Sequence, residues 1–311
     1  MMITLRGAAW GAVLVSGTLC SGACSAGSDI EGRASGGPSV RPISLQEYES
    51  RVASAVKPLQ SALKELDKAK GYKGLEGRVT AVRQATGQTA NALRAVTPPP
   101  ATAREHTNLL LALQRTYADL NVVADLVDGR HLCTGGAVRA RVGDTDGATA
   151  LRTGITALEA KLPGGAVELA VPAAGQKRSK RPSNGKLIHS GRRGGRGSLI
   201  VRGGGDDAVV ALAKGKKTFL SVYVRSGKKT TVRGIPDGKY TVYIAEGTDW
   251  DAKARTFGRE CAFERFKDPI GYRTTVTATR ISWKDWTIHL ESDSGDPANT
   301  ETVDPEDFPE D

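Results

Sequence analysis

The segment FLSVYVRSGKKTTVRGIPDGKYTVYI (residues 219–244) decides the fold of the C-terminal part of this chain. Apolar residues alternate with polar or small residues within it, so that Leu220, Val222 and Val224 share one face. This period of two predicts β-strands with one buried face. Ser-Gly-Lys-Lys and Pro-Asp-Gly separate the apolar runs, and Gly and Pro supply the backbone angles that tight turns require. The segment therefore predicts three short strands of an all-β domain.

Strand-like runs on both sides of this segment extend the pattern over residues 198–292. They are Leu199–Arg202, Ala208–Ala213, Phe219–Arg225, Thr230–Ile235, Tyr240–Ala245, Thr274–Ile281 and Trp286–Glu291. Seven short strands joined by glycine-rich turns predict a β-sandwich. Residues 247–271 form the one interruption of helical length, and we expect them to be an insertion into the sandwich.

The string VRGIPDGKYTV (232–242) resembles the hairpin of transthyretin-like domains and of collagen-adhesin B-type repeats. In those families a small apolar residue precedes Pro-x-Gly-x-Tyr-x-Val. The resemblance implies a β-sandwich that serves as a stalk or as a binding module. It implies no activity, because one fold hosts many functions and no isopeptide-forming residues are matched.

Residues 44–171 are predicted to form an antiparallel helical bundle. Apolar residues recur every three or four positions, the spacing of amphipathic helices. The stripes run from Leu45 to Leu66, from Leu75 to Val96, from Leu110 to Val127 and from Ala148 to Leu162. Short connections favour an up-and-down arrangement of four helices. The whole chain is therefore predicted to be an α+β protein with two domains.

The first 27 residues are typical of an export signal, with Arg6 before an apolar run of 12 residues from Ala8 to Leu19. The sequence Ser-Gly-Ala before Cys24 has the small residues that precede a lipidated cysteine in bacterial lipoproteins. We expect lipidation at Cys24, and the alternative is ordinary cleavage near Ala26 that releases the protein. Residues 28–43 are rich in Ser, Gly and Pro, a composition typical of a flexible tether.

The formal net charge of +10 is unevenly distributed. Residues 172–197 place basic side chains among Gly, Ser and Pro, which predicts a disordered basic linker. It is either a solvated spacer or a contact for anionic envelope polymer or lipid headgroups. Nucleic acid is not expected, since the linker has no aromatic stacking platform. Residues 293–311 are predicted to form an acidic disordered tail, and nine acids and no base lie within 291–311.

Two cysteines, Cys133 and Cys261, lie outside the leader. In an oxidising compartment such a pair predicts a disulfide bond, here between the helical bundle and the sandwich. The alternative is two separate buried thiols. His106 lies on the apolar stripe of the third helix without a Glu-x-x-His partner, so we interpret it as a residue at the end of the core. No metal site or other cofactor is expected.

Aromatic residues concentrate in and beside 247–271. Trp250, Arg255 and Phe257 are our candidate contact residues for a glycan or peptide. The alternative is a small satellite core that covers one end of the sandwich. No Ser/His/Asp order, His-Glu-x-x-His or Gly-x-Ser-x-Gly is present, so no catalytic residue is assigned.

The layout resembles a family of uncharacterised exported proteins or lipoproteins of actinobacteria. The resemblance rests on GTDWDAKARTF (247–257), CAFERF (261–266) and VDPEDFP (303–309). It implies a protein that is secreted or anchored on the outer face of the cell membrane. We expect a non-enzymatic binding or structural role mediated by the sandwich. Expected partners are the membrane, through the lipid anchor, and an anionic envelope polymer or a surface protein. The alternative is a secreted enzyme with an unrecognised site in 247–271.

Overall fold

The computed structural model describes residues 43–165, 167–175, 180–290 and 299–309. The predicted signal peptide, Cys24 and almost all of the predicted tether lie outside the described residues. Within the described residues, five α-helices precede a region of β-strands, so the α+β class predicted from the sequence is confirmed. The described helices include none with the length and the apolar character needed to cross a membrane.

The helical part packs in chain order around one core. Its helices are α1 (Leu45–Asp67), α2 (Leu75–Arg94), α3 (Ala103–Asp128), α4 (Gly135–Gly143) and α5 (Asp146–Glu159). Helix α1 packs on α2, α2 on α3, and α3 on α5. The Ser44 side chain accepts a hydrogen bond of 3.1 Å from the Glu47 N–H, which satisfies a donor that the helix itself leaves unpaired. Helices α1, α2 and α5 bury their apolar stripes, because helices of this length are marginal in water without packing. In α3 the buried face contains Leu109, Leu113 and Leu120, whereas Tyr117 of the predicted stripe is 42% exposed.

Helix α4 is an element that apolar periodicity does not predict. It is nine residues long and begins with two glycines, so it carries little of an apolar stripe. Gly135 lies against the end of α1, where an added Cβ atom would meet the carbonyl oxygens of Leu66 and Ala69 at 2.6 Å. Glycine is therefore required there for the close approach of α4 to α1. The fourth helix predicted from the sequence corresponds to α5.

The C-terminal part contains twelve strands within the described residues. They are β1 (Leu187–Ser190), β2 (Gly197–Arg202), β3 (Asp207–Lys214), β4 (Lys217–Val224), β5 (Lys229–Ile235), β6 (Gly238–Asp251), β7 (Thr256–Phe266), β8 (Ile270–Tyr272), β9 (Thr274–Val276), β10 (Ile281–Trp283), β11 (Trp286–His289) and β12 (Thr300–Thr302).

The strands form one large and two small sheets. The large antiparallel sheet has the order β1-β4-β3-β6-β7-β12, with β8 paired to β6. A three-stranded sheet has the order β11-β2-β5, in which β11 and β2 are parallel. Strands β9 and β10 form a separate hairpin. Buried residues of the large and the three-stranded sheets share one core, which includes Val201, Val232, Val210, Leu220 and Val242.

The Pro-Asp-Gly turn does not close the hairpin that the sequence resemblance implies. Strand β5 pairs with β2, whereas β6 pairs with β3, β7 and β8. The turn instead carries the chain from the three-stranded sheet to the large sheet. The Asp237 carboxylate accepts hydrogen bonds of 2.8 and 2.9 Å from the N–H and hydroxyl of Thr274. Turn residues define where a strand ends, but they do not define its partner.

The expected insertion at 247–271 is wrong. Most of this range belongs to β6 and β7, which pair as one long antiparallel hairpin that ends in a turn at residues 252–255. Charged residues such as Asp249, Arg259 and Glu260 interrupt the apolar alternation, and the register shifts between Glu246 and Thr248. A β-bulge breaks the period of two, and the sequence pattern was therefore too weak to predict β7.

The basic linker and the acidic tail were predicted to be disordered, but each of them contributes a β-strand within the described residues. Strand β1 lies within the predicted linker and pairs with the edge strand β4. Strand β12 lies within the predicted tail and pairs with β7, and the Phe308 ring packs on Tyr243 and Phe263. In both cases the order comes from hydrogen bonds to a distant strand, which local composition does not reveal.

A disulfide pair joins the helical part to the large sheet, as the sequence predicts. The Sγ atoms of Cys133, between α3 and α4, and of Cys261 in β7 lie 2.01 Å apart. Beside them the Cys133 N–H donates to the Gly258 carbonyl at 2.8 Å, and the Cys261 N–H donates to the Arg130 carbonyl at 3.1 Å. The segment 130–133 thus occupies part of the free edge of β7. The helical and sheet parts form one compact unit.

Candidate functional site

A groove lies on the face of the large sheet that points away from the core between the sheets. It has a volume of about 820 Å³. Three segments surround it, namely the α1–α2 loop at 70–73, the β6–β7 turn at 253–256 and the C-terminal segment 305–309. We call this feature the basic groove. It brings together parts of the chain that are more than two hundred residues apart in sequence.

The floor of the basic groove is made of small side chains on three neighbouring strands. Ala211 of β3 lies beside its cross-strand partner Ser221 of β4, and Ala245 of β6 lies beside its partner Val209 of β3. Because side chains alternate along a strand, residues next to them, such as Val210 and Val222, face the opposite side and fill the core between the sheets. Small residues on the outer face leave the space that forms the groove.

Four cations lie around the groove. Lys70 and Lys73 come from the α1–α2 loop, and Lys253 and Arg255 come from the β6–β7 turn. All four side chains are exposed. Glu306 is the one acidic residue among the described lining residues. A concave surface with this excess of one charge attracts anions.

Hydrogen bonds within the β6–β7 turn fix the backbone from which the side chains of Lys253 and Arg255 extend. The Asp251 carboxylate accepts hydrogen bonds of 2.9 and 3.0 Å from the N–H groups of Lys253 and Ala254. The Arg255 N–H donates to the Asp251 carbonyl at 2.7 Å, and Arg255 has a φ of 58°. A left-handed conformation is uncommon for a residue other than glycine, so the turn holds Arg255 in a particular direction.

The walls of the groove are also anchored. The Tyr72 hydroxyl donates a hydrogen bond of 2.8 Å to the Val127 carbonyl, which attaches the α1–α2 loop to α3. On the other side, the Phe308 ring meets Phe263 and Tyr243 edge to face, with ring centroids 5.4 and 5.5 Å apart. These contacts provide an apolar wall opposite the cations.

One polar group in the floor lacks a partner. The Ser221 side chain is 3% exposed, and its Oγ has no hydrogen-bond partner among the described residues. A buried hydroxyl without a partner is destabilising, and natural proteins rarely contain one.

The candidate contact residues predicted from the sequence divide between the groove and the interior. Arg255 lies at the groove, as stated above. Phe257 is 1% exposed and Trp250 is 7% exposed, and both pack edge to face within a small core that includes Tyr223 and Val209. Burial leaves Phe257 with no surface to offer a ligand, so its assignment as a contact residue is wrong. The alternative of a satellite core describes these two aromatic residues.

Trp250 lines a second, smaller cavity of about 360 Å³, and the Asp207 carboxylate in its lining is hydrogen-bonded to neighbouring residues. The Asp207 carboxylate accepts hydrogen bonds from the Arg181 guanidinium, from the Tyr223 hydroxyl and, at 2.9 Å, from the Ser226 N–H. Burial favours the neutral form of Asp207, but these hydrogen bonds outweigh it and hold its pKa below the usual value. The cluster is a structural one that attaches residue 181 to the sheet.

Two further observations limit the chemistry that the described residues offer. They include no group of three or more His, Cys, Asp or Glu side chains that could hold a metal ion. The pKa of Glu246 is raised to about 7 by burial and by the nearby carboxylates of Glu264 and Asp206. A raised carboxylate pKa is typical of general acids, but Glu246 does not line the basic groove.

Comparison with protein families, with curated proteins and with solved structures found no match to this chain. The likeness of residues 232–242 to transthyretin-like domains, and of three further strings to exported actinobacterial proteins, therefore stays a resemblance.

Proposed function

We propose that this protein is an exported, lipid-anchored protein of the cell envelope that binds an anionic ligand with an apolar part. The basic groove is the binding site, and the role is binding without catalysis. The observation that carries the proposal is the groove itself, which joins a cationic rim to a floor of small side chains. Its volume falls within the range of about 300–1,000 Å³ that is usual for small-molecule sites.

Export is supported by two independent features of the chain. The first is the leader, in which Arg6, a short apolar run and small residues precede Cys24. The second is the pairing of Cys133 and Cys261 at disulfide distance, because such bonds persist in oxidising compartments outside the cytosol. A lipid at Cys24 would make the membrane the first partner of this protein.

The ligand chemistry follows from the lining of the groove. Lys253 and Arg255 on one side and Lys70 on another favour a phosphate, sulfate or carboxylate. Ala211, Ala245 and Phe263 offer contact to an acyl or other apolar group, and burial of such a group is favourable by about 25 cal/mol per Å². A ligand that has both an anionic group and an apolar group can contact the cations and the apolar side chains of the groove at the same time.

Binding rather than catalysis is the activity that this lining supports. The described lining residues contain no histidine or cysteine, and their one carboxylate, Glu306, is exposed. Ser221 lies in the floor, but a serine needs a neighbouring base to act as a nucleophile. The groove therefore offers recognition groups without the pair of groups that acid–base chemistry requires.

The test is a calorimetric titration of the full chain with dodecyl phosphate below its micelle concentration. Reversal of both turn charges in the double variant Lys253→Glu/Arg255→Glu should weaken binding tenfold or more, since a charge-assisted hydrogen bond contributes about 1.5–3 kcal/mol. The matched control is Lys64→Glu, which changes an exposed lysine of α1 outside the groove and should bind like the wild type. Dodecanol should bind more weakly than dodecyl phosphate.

Two results would contradict the proposal. Equal affinity of the double variant and the wild type would place the binding site elsewhere. Hydrolysis of a panel of glycans or esters by the purified chain would favour the secreted enzyme instead. In either case the circular dichroism spectrum of each variant shows whether the fold is intact.

A further inference from the structure

A second surface lies on the hairpin formed by β9 and β10. Its residues Val276, Ile281 and Trp283 are 70%, 43% and 49% exposed. Val276 pairs directly with Ile281, and Thr274 pairs with Trp283. Because side chains two residues apart share a face, all three apolar side chains lie on the same side of the hairpin. Large apolar side chains gathered on one exposed face are typical of an interaction surface.

This hairpin is held firmly at its base. The Thr274 N–H and hydroxyl both donate to the Asp237 carboxylate. Next to β10, the Asp285 carboxylate accepts a hydrogen bond of 2.7 Å from the Ser198 N–H, and the Trp286 indole donates to a backbone carbonyl at 2.9 Å. Every residue from 275 to 285 is nevertheless exposed. The hairpin therefore projects into solvent from a fixed base.

The hairpin itself carries cations, and the two carboxylates at its base, Asp237 and Asp285, accept hydrogen bonds there. The stretch 273–284 contains Arg273, Arg280 and Lys284 and no acidic residue. The Arg196 guanidinium lies 5.9 Å from the ring centroid of Trp283, as a cation–π pair. The hairpin thus combines an exposed apolar face, a tryptophan and a ring of cations.

We infer that the β9–β10 hairpin docks on an anionic lipid surface. Trp283, Ile281 and Val276 enter the boundary between headgroups and acyl chains, where tryptophan is enriched in membrane proteins. The cations bind lipid phosphates, and each one near an anionic surface strengthens binding about fivefold. An anionic polymer in solution would satisfy the cations but would leave the apolar face in water. This inference does not depend on the ligand proposed for the basic groove.

The experiment measures tryptophan fluorescence of the full chain carrying Trp10→Phe, which removes the tryptophan of the leader, in the presence of vesicles that contain brominated phosphatidylglycerol. Bromine atoms quench a tryptophan only on close contact, so Trp283 should be quenched strongly. The quenching should be lost in Trp283→Phe. In Arg280→Gln/Lys284→Gln, half-maximal quenching should need about 25-fold more lipid. Vesicles of brominated phosphatidylcholine alone should quench less than the anionic vesicles.

The matched control is Trp286→Phe, because Trp286 lies beside the hairpin with its ring partly buried and its N–H bonded. This variant should retain the quenching that Trp283→Phe loses. The inference is overturned if Trp283→Phe and the wild type are quenched equally. It is also overturned if neutral and anionic vesicles act alike, or if an acidic protein shields Trp283 while vesicles do not. The circular dichroism spectrum confirms that each variant is folded.

Discussion

At the scale of single residues, the helical core contains one polar pair. The Tyr48 hydroxyl and the His106 Nδ1 share a hydrogen bond of 2.8 Å, and both residues are buried. Burial, helped by the nearby carboxylate of Glu105, raises the pKa of Tyr48 to about 12. Burial lowers the pKa of His106 below its ordinary value of 6.5. The pair therefore stays neutral in the folded protein at neutral pH.

This pair predicts a loss of stability in weak acid. Below about pH 6.5 the unfolded chain takes up a proton at His106 before the folded protein does. The free energy of unfolding therefore decreases as the pH is lowered. The fall continues down to the folded-state pKa of His106. His106→Gln should reduce this fall when urea unfolding is compared at about pH 8 and about pH 5.5. His289→Gln changes an exposed histidine and should keep the wild-type slope, whereas equal slopes for all three proteins would contradict the prediction.

Residue types alone did not separate contact residues from core residues. The sequence places Trp250, Arg255 and Phe257 close together, and in the structure Trp250 pairs with Phe257 beside the turn of one hairpin while Arg255 lies in that turn. Their exposure depends on Tyr223, which is far away in sequence and covers both rings. Tertiary packing therefore decided which side chain stayed at the surface, and no local pattern carries that information.

At the scale of elements, the sequence predicted the strands that bury an apolar face and missed those held by pairing alone. Strand β4 has a period of two in Leu220, Val222 and Val224, and strand β3 is a continuous apolar run. Both lie close to their predicted bounds. Strand β1 contains Leu187 and Ile188 next to His189 among basic and glycine residues, and its order comes from the edge of β4. The hydrogen-bonding partner of such a strand lies outside any local window of sequence.

The disulfide is the element-scale contact with the largest predicted effect on stability. It closes a segment in which Cys133 and Cys261 are 128 positions apart. In the chain-entropy description, a loop of this length contributes roughly 5 kcal/mol to the free energy of unfolding. Cys133→Ser/Cys261→Ser should lower that free energy by a similar amount in urea unfolding, and the wild type with reductant should behave like the variant.

A thiol count provides the control for this prediction. The chain is denatured without reductant and alkylated, and the peptides that contain Cys133 and Cys261 are examined by mass spectrometry. Both peptides should be unmodified in the wild type and joined to each other. Alkylation of both cysteines would show two separate thiols and would contradict the predicted bond.

At the scale of the whole molecule, the basic groove forms only where the helical part, the large sheet and the C-terminal segment pack together. Lys70 and Lys73 belong to a turn between two helices, and nothing in that turn indicates contact with a sheet. The predicted disulfide was the sequence signal that the loop after α3 meets residues 247–271, most of which belong to β6 and β7 in the structure. The small outward residues Ala211, Ser221 and Ala245 had no significance until the opposite wall was known. The groove could therefore not be predicted from the sequence, although its two halves were assigned to the correct fold classes.

Acylation of Cys24 would hold the molecule on the membrane, in line with the function proposed above. If Cys24 is acylated, radiolabelled palmitate should be incorporated into the chain in a bacterial host, and Cys24→Ala should abolish the label. Cys20→Ala is the matched control and should keep it, because the bulky Leu19 before Cys20 does not fit a lipidation site. Several acyl chains on one cysteine suffice for stable anchoring, whereas a single chain binds membranes only marginally. Unchanged labelling of Cys24→Ala would exclude this cysteine, and release of unlabelled wild-type protein into the medium would favour cleavage near Ala26.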